Sequence, residues 1–152
     1  MEKGVFLGEL PCQKGAYNQN RIYFLYDERF IPAKTKLLTF TAYEFRSAED
    51  GSIRMKRFES GTWIRFYDPD WREFTAFLKE RGMGDCGRYF RYGLTDQNDP
   101  VLAEIRAKTE CDGKHPYSAN ERPSSWPKYE EPLDPLFAGE TGIRTWMEKF
   151  LP

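Results

Sequence analysis

Between residues 5 and 67 the chain runs through five short segments of strand character, most of them rich in aromatics, separated by turn-forming residues. That alternation restricts this half to an antiparallel sheet. The segments are Val5 to Leu10, Ile22 to Tyr26, Leu37 to Phe45, Ile53 to Lys56 and Thr62 to Tyr67. Aromatic and β-branched side chains suit a pleated, half-buried surface. Within Leu37 to Phe45, Leu38, Phe40 and Ala42 share one face and Thr39, Thr41 and Tyr43 the other, while Ile53 and Met55 alternate with Arg54 and Lys56. A period of two with one wet face is the mark of a strand at a sheet surface. Glu49-Asp50-Gly51 and Glu59-Ser60-Gly61 signal tight turns. Turns this short cannot carry a crossover, so the neighbours are antiparallel and a meander is predicted.

After Tyr67 the period changes. Asp68 is suited to cap free amides and Pro69 to the first helical position. Trp71, Phe74, Phe77 and Leu78 then fall on one helical face, and Gly82 can end the element. The spacing predicts a helix over 69–81. Asp99-Pro100 repeats the start signal before Val101, Leu102 and Ile105, predicting a second helix near 100–108. Ile143, Trp146, Met147 and Phe150 predict a third over 140–151, and Arg88 to Tyr92 reads as one more short strand. From Glu110 to Ala138 five prolines break any regular element, yet Trp126, Tyr129, Leu133, Leu136 and Phe137 remain. Disordered segments are poor in aromatics, so a long loop packed over the core is expected.

The predicted fold is therefore α+β. Residues 1–152 form a single domain, an antiparallel β-meander sheet covered on one face by two amphipathic helices (69–81 and 140–151), with a long packed C-terminal loop. Trp71, Phe74, Phe77, Leu78, Ile143, Trp146, Met147 and Phe150 are its expected core. A chain of 152 residues supports one such core.

Composition narrows function more than motifs do. The chain holds 12 Phe, 9 Tyr and 4 Trp but a single histidine, His115, and carries no phosphate-loop or dinucleotide signature. Large aromatic area with little catalytic equipment favours recognition over chemistry. The net charge of -1 lacks the basic excess of a protein that coats nucleic acid. Locally the balance is uneven. Arg54 to Arg91 holds nine basic and six acidic residues, and Glu110 to Glu140 seven acidic and three basic.

Cys12, Cys86 and Cys111 are odd in number and far apart, unlike a secreted disulfide framework, so a cytoplasmic location is expected. Met1 to Leu10 lacks the pattern of a signal peptide, and no apolar run approaches membrane-spanning length. The three cysteines and His115 match the ligand number of a structural zinc, but the close cysteine pair is missing. A thiol activated by His115 lacks a supporting turn. No catalytic residue, cofactor or metal is assigned.

Two surfaces stand out. Tyr117, Arg122, Trp126 and Tyr129, in the acidic proline-rich loop, have the residue types of a protein-binding hot spot. Arg54, Lys56, Arg57, Arg65, Arg88 and Arg91, interleaved with aromatics, would suit phosphate contacts and base stacking. The leading expectation is a protein-binding module of inhibitor, immunity or adaptor type, acting by occlusion or scaffolding on another protein. The alternatives are a nucleic-acid-associated protein using the basic aromatic face, and a small enzyme with an Asp, Glu, Tyr and Arg site.

Overall fold

The computed structural model describes residues 3–130 except 17, 48, 51 and 63–65. Strands β1 (Val5–Lys14), β2 (Gln19–Asp27) and β3 (Lys34–Leu37) form one antiparallel sheet in that order. Strands β4 (Phe40–Ser47) and β5 (Ile53–Ser60) pair as a second. The third contains β6 (Phe66–Asp68), β7 (Glu73–Lys79), β8 (Gly87–Leu94), β9 (Pro100–Lys108) and β10 (Lys128–Tyr129), in the order β10-β9-β8-β7-β6. Only Leu38 and Thr39 separate β3 from β4. The Leu38 amide donates to the Tyr23 carbonyl at 2.9 Å, so the chain turns into the next sheet with its backbone still bonded.

The core lies between these layers. Tyr23 and Leu25 from β2, Leu38, and Phe40, Ala42 and Tyr43 from β4 meet Phe74, Ala76, Phe90, Tyr92 and Ile105 from the five-stranded sheet. Rings meet edge-on. The Phe40 centroid is 5.1 Å from both Phe74 and Tyr92, and Tyr23 is 5.0 Å from Phe74. Such pairs add stabilisation beyond their area. The buried Tyr92 hydroxyl donates to the Thr41 carbonyl at 2.7 Å, so it is not stranded.

The described chain is all-β, which corrects the α+β expectation: no helix occurs among the described residues. The region expected as a helix over 69–81 is a turn followed by β7, and that expected near 100–108 is β9. Asp68 does cap, accepting from the amides of Asp70 (2.9 Å) and Trp71 (3.2 Å), but the turn goes no further. Trp71, expected in the core, is 77% exposed. Phe74, Ala76 and Leu78 face the main core, whereas Phe77 joins Tyr89 and Trp126 on the other side of the sheet. A strand buried on both faces shows no alternation, and its apolar residues then satisfy helical spacing by coincidence. The helix expected over 140–151, with Ile143, Trp146, Met147 and Phe150, lies outside the described residues.

A loop across residues 109–127 covers the outward face of the five-stranded sheet. Trp126, 2% exposed, stands edge-on to Phe77 at 5.2 Å and to Tyr117 at 6.0 Å. A Cys86–Cys111 disulfide ties this loop to the start of β8, with Cα atoms 4.9 Å apart. Beside it Asp85 is buried and accepts from the Arg81 guanidinium and from the Gly113 amide at 2.7 Å. These bonds, led by that of Arg81, hold its carboxyl below the ordinary range.

Candidate functional site

The register of β1–β3 divides that sheet into two unlike faces. Directly opposed residues project to the same side. Phe6 faces Tyr26, Gly8 faces Phe24, Leu10 faces Ile22, and Phe24 and Tyr26 in turn face Leu37 and Thr35. All of these side chains point away from the core, and none is charged. The charged residues of the three strands, Glu9, Lys14, Arg21, Asp27, Lys34 and Lys36, occupy the other set of register positions, shared with Val5, Leu7, Tyr23 and Leu25. Four of them are held there by ion pairs. Glu9 pairs with Arg21 and accepts from the Tyr23 hydroxyl at 2.8 Å, Asp27 binds Arg29 at 2.7 Å, and Lys36 pairs with Asp99. Burial, followed by the Glu9 carboxylate, pushes the Tyr23 phenol well above its usual range.

The outward face is therefore apolar and open. Phe6 is 51% exposed, Leu10 54%, Tyr26 40% and Leu37 52%. Single exposed apolar residues are ordinary, but here four lie together on one uncharged face. The Phe24 ring lies across Gly8, where an added Cβ would come within 2.2 Å of it, so the ring fills the space a side chain at position 8 would take. The Phe6 and Tyr26 rings stand 6.5 Å apart beside it.

The residues singled out from sequence fare differently. Tyr117 and Trp126 are brought together, but in packing the 109–127 loop onto the sheet. The Tyr117 hydroxyl donates to Ser125 Oγ at 2.9 Å and accepts from the Ser125 amide at 3.1 Å. Tyr129 sits in β10 against Phe45, with ring centroids 5.1 Å apart. Arg122 reaches down to Glu104, giving Nη2 to Oε2 at 2.8 Å. Glu104, buried on β9, also binds Arg91 at 3.2 Å and Arg106, whose Nη1 donates to the Trp126 carbonyl at 2.8 Å. Burial alone would raise the Glu104 carboxyl, but Arg122 and Arg106 outweigh it and hold the group below its usual value. Tyr117, Arg122 and Trp126 thus fasten the loop to the sheet, while Tyr129 belongs to the sheet's edge strand.

The basic residues divide between two sheets. Arg54, Lys56 and Arg57 lie exposed on β5, where Arg57 donates to Thr41 at 3.2 Å and contacts Glu59 at 3.3 Å. Arg88 and Arg91 lie on β8, Arg88 against Glu80 at 3.3 Å and Arg91 against Glu73 and Glu104. Arg65 is outside the described residues. Because Cys86 and Cys111 are joined, neither has a thiol for His115 to activate or for zinc to bind, and Cys12 remains free and exposed. Among the described residues no helix is long and apolar enough to cross a membrane.

The described chain is thus an all-β protein of packed antiparallel sheets, which hides one outward sheet face under its own loop and leaves another bare. It belongs to the family of proteins of unknown function DUF1176, whose model matches residues 2–128. No curated protein and no solved structure matches it.

Proposed function

We propose that this protein is a binding module that recognises another protein through the outward face of β1–β3, acting by occlusion or scaffolding. The observation that supports this most is the sorting of side chains on that sheet. Every charged residue of the three strands takes a core-side register position, while Phe6, Leu10, Tyr26 and Leu37 face solvent. Solvent exposure alone selects the opposite arrangement. The Cys86–Cys111 disulfide supports an oxidising compartment as the place of action, over the cytoplasm expected from the cysteine count.

Photo-crosslinking in the native host tests the reading. A crosslinking amino acid at position 6 or 26 should yield a discrete protein adduct, and one at position 56 on β5 should not. Equal, diffuse labelling from all three positions would remove the support. Thiol trapping of the chain from the same cells should find one reactive cysteine, Cys12, whereas three would restore the cytoplasmic expectation.

A further inference from the structure

We propose that the protein bound by the outward β1–β3 face is a second copy of this chain, the two three-stranded sheets stacking face to face about a two-fold axis. This rests on the reading of that face as a protein-binding surface.

Charge is the first argument. A face built to select a foreign partner uses complementary charge for specificity and register. A two-fold contact does the reverse, because it sets each patch against its own copy, and any net charge there meets its own sign. The outward positions of β1–β3 carry no charge at all, although the same strands carry six charged residues on their other side. That is the composition self-apposition requires.

Area is the second. Phe6, Leu10, Tyr26 and Leu37 are each about half exposed. At about 200 Å² for a fully exposed large side chain they leave roughly 400 Å² of apolar surface. Two copies would bury roughly 800 Å² from these residues alone. That is below the roughly 1,200 Å² at which stable specific interfaces begin, which places the contact among weak ones. The dimer is therefore expected to be concentration-dependent.

Sedimentation equilibrium of the full chain tests this. The wild type should move from one chain mass, 17.9 kDa, towards twice that value as its concentration rises to about 100 μM. Added salt should not reverse it, since no charge is involved. Leu10→Glu with Leu37→Glu should remain a single chain, as should Leu10→Lys with Leu37→Lys. An equimolar mixture of the two should recover the double mass, which also shows that both variants fold. A wild-type dimer that both variants preserve overturns the proposal, because the contact then lies elsewhere. A wild-type monomer whose Phe6 and Tyr26 react freely with hydroxyl radicals also overturns it, in favour of a different protein, and the crosslinks at positions 6 and 26 still decide the binding-module reading. A monomer with those rings protected overturns both, since the face is then covered from within the chain.

Discussion

Removing the Cys86–Cys111 bridge with the double substitution Cys86→Ala and Cys111→Ala should destabilise the protein by about 3.5 kcal/mol. The figure follows from topology. The bridge spans 25 residues, and closing a loop of that length removes about 12 cal/mol/K of chain entropy from the unfolded state. The native state should change little, because other bonds hold the same loop. Asp85 accepts from Arg81 and from the Gly113 amide, and Trp126 stays wedged against Phe77. The cost therefore falls mainly on the unfolded side, where the released chain is less compact. Against a typical total stability of about 5–15 kcal/mol this is a large fraction, and it corresponds to a fall in Tm of about 10 °C. Urea unfolding followed by tryptophan fluorescence should show both the lower midpoint and a steeper denaturant dependence. Wild-type protein under a strong reductant should move towards the variant. Coincident curves for the oxidised wild type and the variant would refute the reasoning, since the loop would then contribute no closure entropy.

Three further outcomes are expected. Glu104→Gln should cost about 3 kcal/mol, because Arg91, Arg106 and Arg122 lose their shared buried counter-charge. Glu104 is held below its usual pKa in the folded state, so its contribution is complete above the unfolded carboxylate range and disappears as pH falls through the lowered value. Urea midpoints below about pH 4.5 should therefore decline less steeply in the variant than in the wild type. Trp126→Ala should cost about 3–5 kcal/mol by thermal unfolding, whereas Trp126→Phe should cost markedly less, because the buried indole nitrogen has no hydrogen-bond partner to lose among the described residues. Trp71→Ala, at a 77% exposed turn position, should change the midpoint by no more than about 0.5 kcal/mol; a loss of core size would restore the helical expectation.

Local chemistry alone settled a good part of this chain. β1, β2 and β5 were legible as strands from their aromatic or alternating residues and the turns between them, whereas the single strand expected over Leu37 to Phe45 is divided between β3 and β4 in two sheets. Asp68 was legible as a cap because its carboxylate bonds amides two and three residues on, a contact that needs no tertiary partner. The proline-rich stretch was legible as a packed loop as far as Pro127, because prolines exclude regular structure while Trp126 demands burial; Leu133, Leu136 and Phe137 lie outside the described residues. Tertiary structure decided the remainder. β7 and β9 read as helices because both of their faces are covered, one by the core and the other by the 109–127 loop, and only that loop's docking explains the lost alternation. Trp126 and Arg122 read as exposed binding groups until the loop folded them onto Phe77 and Glu104. The open face was hidden in the sequence for a related reason. Alternation in β1 and β2 shows that Phe6, Leu10 and Tyr26 lie opposite Leu7 and Leu25 across the sheet, but both sets are apolar. Which set turns inward depends on where Phe40, Phe74 and Tyr92 stand, and those residues come from strands far along the chain.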